Sequence, residues 1–156
     1  MQLRRGCRLW WLAALAVAID RLCKVAITRT MVPGQAQSVL PGVVSWAYTR
    51  NQGVAFGLLS GAALLPLLTL LLIVALLIYL LRHPQAGSML RSGLWLIIGG
   101  GLGNLYDRLA CGYVIDFIRL DFINFAIFNP ADMFVCAGAV LVAIAVLAED
   151  RRKAHG

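Results

Sequence analysis

GGGLGNLYDRLACGYVIDFIRLDFINFAIFNPADMF, Gly99 to Phe134, carries four of the chain's seven acidic residues: Asp107, Asp116, Asp121 and Asp132. The rest of the 156-residue chain is oily. It is 61% hydrophobic and 13% charged, with a mean hydropathy of +0.83. A soluble domain has about 45–50% apolar residues and about a quarter charged, so this composition indicates an integral membrane protein. An ionisable side chain is costly in a bilayer, which makes each of these carboxylates a functional suspect until a structural reason for it is found.

Outward from this stretch, the hydrophobic runs divide into four expected spans. Residues 9–27 form the first, after Arg4, Arg5 and Arg8. A basic start, a short apolar core and Ala16-Val17-Ala18 imitate a cleavable signal peptide, but the helical pattern continues through Asp20 and Lys24, an i,i+4 pair that can share a charge on one face. A retained helix with an ion pair near its outer end is therefore expected. The second span, 61–81, is nearly unbroken Leu, Ile, Val and Ala; its last eighteen residues rise about 27 Å, close to the hydrocarbon thickness of a bilayer. The third, 92–111, stops at Gly112 and contains Gly99 and Gly103, a small-xxx-small pair that admits a neighbouring backbone. The fourth runs over 130–148.

Residues 40–59 read differently. Pro41-Gly42 marks a turn, and Val43 to Arg50 is rich in β-branched and aromatic residues, so this part is expected to form a small β-cradle. Trp46 and Tyr48 stand two apart and share a face, as aromatics at a membrane–water interface do. Residues 112–129 make a short interfacial segment. The expected fold is an all-α membrane protein, a single domain of four transmembrane helices with an extracytoplasmic β-cradle. Basic residues gather at the N-terminal flank, at Arg82 and Arg91, and at Arg151, Arg152 and Lys153, whereas the opposite loops hold only Arg29, Arg50 and Arg119. The positive-inside rule then puts both termini in the cytoplasm and the carboxylates outside.

The net charge of +7 is accounted for by those flanks. No basic face interleaved with exposed aromatics is present, so nucleic-acid binding is not expected. Cys7, Cys23, Cys111 and Cys136 have no paired spacing and read as packing residues. His83 and His155 lie in polar flanks, so a His-based metal site or a Ser–His pair lacks its parts. No metal or cofactor is expected.

The four carboxylates separate by neighbourhood. Asp107 adjoins Arg108, which itself lies four residues from Asn104, and reads as a permanently ionised structural acid. Asp121 alternates with Arg119 as a solvated pair. Asp116 lies in the apolar run Tyr113 to Ile118, where burial favours a raised pKa. Asn129-Pro130-Ala131-Asp132 is a helix-start signature: a cap, a proline at the first helical position and an acid at the third. That arrangement serves a cap alone. It also serves a dyad in which the helix dipole keeps Asp132 ionised while Asp116 holds a proton.

Thr49–Leu59 (TRNQGVAFGLL), Gly99–Ile118 (GGGLGNLYDRLACGYVIDFI) and Phe128–Phe134 (FNPADMF) resemble the lipoprotein signal peptidases, the type II signal peptidases of bacteria. The likeness extends over nearly the whole chain. It implies an inner-membrane aspartic endopeptidase that acts near the extracytoplasmic face. The enzyme would cleave diacylglyceryl-modified prolipoproteins just before the lipidated cysteine, among membrane lipids and as a monomer. It implies Asp116 and Asp132 as the catalytic pair, with Asn51, Gly53, Asn104, Arg108 and Asn129 lining or supporting the site. Asp20 and Lys24 become structural supports, alongside Asp107. The chain departs from the family pattern at Pro130 and Met133, and again at Arg21 and Cys23, where polar residues are more usual. Two readings without proteolysis compete: a four-helix assembly or transport subunit with an outer polar cluster, and a proton-coupled carrier. The carrier is disfavoured by the absence of charged residues from the second span.

Overall fold

The computed structural model describes residues 9–53 and 64–154, with side chains as far as Arg152. Among these residues there are four long helices: α1 (Trp10–Thr30), α2 (Leu64–Arg82), α3 (Ser88–Cys111) and α4 (Pro130–Ala154). Three strands form one antiparallel sheet in the order β1 (Ala36–Leu40), β2 (Val44–Asn51), β3 (Val114–Leu120). The part of the expected cradle at 54–59, the first residues of the expected second span and the arginines at 4, 5 and 8 lie outside the described residues.

α3 is the axis of the bundle, packing against α1, α2 and α4. Its glycines permit that. A Cβ on Gly99 would lie 2.8 Å from the backbone of Ala13, and one on Gly93 would lie 2.6 Å from the carbonyl oxygen of Gly138. Without side chains at these crossings the helix backbones approach closely, the packing mode that membranes favour. α1 buries Ala13, Ala16, Asp20, Lys24 and Ile27. Those positions recur every three or four residues, so one stripe of the helix faces inward. Small residues fill one half of the stripe and an ion pair the other.

α2 and α4 present leucine, isoleucine and valine outward, among them Leu67, Leu68, Leu71, Val140, Ile144 and Leu147. Both are long and apolar enough to cross a membrane. α1 and α3 match them in length but carry the polar cluster: Asp20, Arg21 and Lys24 on one, Asn104, Asp107 and Arg108 on the other. That charge, turned into the bundle, is why composition marks only two helices as spans.

The sheet extends the expectation. The segment after α3, read as interfacial, supplies the strand β3, and β1 begins before the expected cradle. Gly112, at φ 78°, ends α3 in a left-handed cap and turns the chain straight into β3. A bulge in β2 between Trp46 and Thr49 gives that strand one extra residue and brings Thr49 opposite Asp116. Tyr48 is not displayed to an interface. It is buried with Ile27, Met31, Ile115 and Phe117, in the cluster that seats the sheet on the end of α1.

Candidate active site

Asp116 lies mid-strand in β3 and is only 2% exposed. Its neighbours Ile115 and Phe117 join the cluster beneath the sheet, and alternation sends Asp116 to the other face. Asn51 stands two residues beyond Thr49, the direct partner of Asp116, and so points the same way. Its side-chain amide donates to Asp116 Oδ2 at 2.8 Å. The turn that follows is closed by Gly53 N–H donating to Asn51 Oδ1 at 2.8 Å, with Gly53 at φ 74°. The other oxygen, Oδ1, accepts from Asn129 Nδ2 at 2.6 Å.

Burial raises the Asp116 pKa from 3.8 to about 6. The hydrogen bonds from Asn51 and Asn129 oppose that rise, the charge of Asp132 adds to it, and Lys24 opposes it. A buried carboxyl with a pKa raised to about 6 is suited to giving and taking a proton.

Asp132 sits in the first turn of α4, half-buried. Asn129 caps that helix: Asn129 Oδ1 accepts the Asp132 N–H at 3.1 Å, and Asp132 Oδ2 accepts the Asn129 N–H at 3.1 Å. This is the reciprocal capping box, with Asn and Asp in place of Ser and Glu. Asp132 Oδ1 accepts from Asn104 Nδ2 at 2.7 Å. Asn129 Nδ2 donates both to Asp116 and, at 3.1 Å, to Asn104 Oδ1. The two carboxylates are thus joined through two asparagines, each pinned at both ends. Arg108 is half-buried beside them, donating to the Asn104 carbonyl at 3.4 Å, and its charge acts on both acids.

Behind the asparagines lies a second cluster. Lys24 and Asp20 are each 0% exposed, so they are not a near-surface pair. Lys24 Nζ lies 2.9 Å from Asp20 Oδ2, 2.8 Å from Asp107 Oδ2 and 3.0 Å from Asn104 Oδ1. The ammonium thus donates to Asn104 and lies within ion-pairing distance of both carboxylates. Asp20 Oδ1 accepts the Ala131 N–H at 3.2 Å, tying α1 to the start of α4. Gly103 makes room for this, because a Cβ there would lie 2.6 Å from Asp20 Oδ2.

Asp107 has different partners from the expected one. It pairs with Arg21 and Lys24 of α1 rather than with its sequence neighbour Arg108. Consecutive residues on a helix diverge by about 100°, so Asp107 and Arg108 face different elements. Arg21 went unassigned in the sequence, although it falls three residues before Lys24, a spacing that places both on one face. Asp121 holds Arg119 at 2.8 Å and accepts the Ser45 hydroxyl. The Ser45 bond, then Arg119, lowers its pKa. It stands apart from the other three. Among the described residues no group of His, Cys, Asp and Glu is arranged to hold a metal ion.

Solved structures share this architecture. One, described as a bacterial membrane enzyme structure obtained by the in meso method at 2.3 Å, superposes with a TM-score of 0.84 at 32% identity, covering 92% of this chain and 89% of its own. A second bacterial membrane enzyme, at 1.9 Å, gives 0.83 at 32% identity, covering 88% and 90%. Fold and apolar surface therefore define a bacterial membrane enzyme. Residues 12–148 match the family profile of signal peptidase (SPase) II. The chain is 41% identical over 142 residues to the lipoprotein signal peptidase of Streptococcus agalactiae serotype Ia, covering 90% of this chain and 92% of that one. It is 40% identical over 137 residues to the lipoprotein signal peptidase of Streptococcus pneumoniae, covering 87% and 90%. The chain belongs to the signal peptidase II family and is a protease.

Proposed function

We propose that the chain is an intramembrane aspartic endopeptidase that removes signal peptides from diacylglyceryl-modified prolipoproteins, on the N-terminal side of the lipidated cysteine. Asp116 and Asp132 are the catalytic pair. The observation that carries this reading is the bridge through Asn129, which joins two carboxylates in unlike surroundings. Asp132, at the positive end of α4, takes a proton from the attacking water. Asp116, whose burial raises its pKa to about 6 so that it keeps a proton further up in pH than a free carboxyl, gives one to the departing amide nitrogen.

Asn51, Asn104 and Asn129 orient the acids, Gly53 closes the turn that aims Asn51, and Arg108 supplies positive potential beside the carboxylates that become charged. All four helices span the bacterial inner membrane, with both termini cytoplasmic and the acids near the extracytoplasmic face. A lipid-anchored precursor reaches that level by lateral diffusion, and the chain acts as a monomer.

Cleavage of a diacylglyceryl-modified precursor by purified protein tests this, with the unmodified precursor run in parallel. Wild type cleaves the modified form preferentially, and D116N and D132N accumulate in the membrane but do not cleave. Substantial cleavage by either variant overturns the dyad. Cleavage of neither precursor by wild type overturns the substrate assignment.

A further inference from the structure

Arg21 touches neither proposed catalytic acid, yet it completes the cluster behind them. Its Nη2 lies 2.7 Å from Asp107 Oδ1. The other oxygen, Asp107 Oδ2, takes Lys24 Nζ at 2.8 Å and the Ile115 N–H at 3.2 Å. Arg21 Nε stands 3.8 Å from Asp20 Oδ2, and the guanidinium lies 4.8 Å from the centre of the Tyr106 ring. The cluster therefore holds two carboxylates and two cations, and its charge sums to zero.

Lys24 alone cannot keep that balance. Its ammonium donates to Asn104 and pairs with Asp20 Oδ2 and Asp107 Oδ2, whereas Asp107 Oδ1 is met by Arg21. Without Arg21, two buried carboxylates compete for one ammonium, and the neutral Asn104 is the weakest claimant. The consequences travel along short paths. Asn104 holds Asp132, the Asp107 bond holds the backbone next to Asp116, and Asp20 holds the backbone next to Asp132.

We propose that Arg21 is a positioning residue of the protease: it neutralises Asp107, keeps Lys24 on Asn104, and so sets the field in which Asp116 and Asp132 exchange protons. This rests on the reading of those two acids as the catalytic pair. The other charged groups around the pair are Asp20 and Lys24 from α1, and Asp107 and Arg108 from α3. On the sheet, Arg50 and the titratable Tyr48 and Tyr113 belong to the face opposite Asp116, with Arg50 stacked on the Tyr113 ring at 5.0 Å. Changing Arg21 removes none of these charges. Removing one positive charge leaves an excess negative charge in a weakly screened setting, which favours the protonated form of both acids. Both limbs of the pH–rate profile then move to higher pH.

The test is the pH dependence of cleavage of a diacylglyceryl-modified precursor by the purified full-length protein, for wild type, R21Q, R21K and the double variant R21Q/D107N. R21Q moves both limbs up by about half to one pH unit and lowers kcat more than it raises KM. R21K leaves the limbs near their wild-type positions. The double variant restores charge balance and returns the limbs towards wild type even where overall activity stays low. R21M, which keeps an unbranched stem against Tyr106, replaces R21Q if that variant fails to accumulate. A neutral Arg21 variant with lower amplitude and unmoved limbs reduces Arg21 to a structural brace and overturns the proposal. D132N is the control for the underlying reading: if it cleaves, the catalytic pair is wrong whatever the Arg21 variants do.

Discussion

Asn129 and Asp132 are bonded to each other twice, each backbone N–H donating to the other's side-chain oxygen at 3.1 Å. The same Asn129 reaches Asp116 with its amide at 2.6 Å. A helix cap and a link between two carboxylates are therefore one structural feature. A capping role and the proposed catalytic role of Asp132 are compatible, because the bonds that start the helix also aim the carboxylate.

Asn129→Ala separates these roles. The lost cap costs about 1–2 kcal/mol of stability, which thermal unfolding in detergent measures. The lost link to Asp116 and Asn104 costs more in activity, about a hundredfold or greater, as misplaced catalytic groups do. A variant that unfolds earlier yet cleaves at the wild-type rate would remove Asn129 from the site.

The buried Asp116 makes stability depend on pH. Its pKa rises from 3.8 to about 6 on folding. Below the lower value both states hold the proton. Between the two, the unfolded chain ionises first, so native stability falls as pH rises through the window and then levels off. The full difference amounts to at most about 3 kcal/mol. Asp116→Asn lacks this titration. Its melting temperature relative to wild type is expected to climb between about pH 4 and pH 6, and a constant difference across that range would contradict the raised pKa.

Asp107→Asn should act on folding before chemistry. It strips one carboxylate from a cluster in which Lys24 is fully buried. Breaking a buried pair typically costs about 3–5 kcal/mol. Folded protein per cell, assayed by size-exclusion chromatography after solubilisation, is expected to drop further than the cleavage rate per folded molecule. A variant that accumulates normally but is inactive would move Asp107 into the chemistry.

Much of this molecule was legible in the chain. The apolar runs, the stop at Gly112 and the Asn129-Pro130 helix start are local signals, fixed by backbone sterics and by hydrophobic patterning. The seclusion of Asp116 could be read from its neighbours, because alternation in a strand makes the surroundings of a side chain a local property. Partners across elements were less accessible. Asp107 adjoins Arg108 in sequence but pairs with Arg21 and Lys24, some 80 residues away. Sequence adjacency on a helix separates side chains around its axis, and only the approach of α1 decides which cation arrives.

By itself, the sequence determined that this is a membrane protein with long apolar helices, a turn-bounded strand region and acids at two helix-end motifs. The family resemblance, carried by several motifs in order, singled out Asp116 and Asp132. The tertiary structure decided that β3 completes the sheet, that Asn129 and Asn104 bridge the two acids, and that Arg21 closes a neutral cluster behind them. Those contacts depend on how closely α1, α3 and α4 approach. Glycines at 93, 99 and 103 permit that approach, but the geometry of the contacts exists only once the helices have packed.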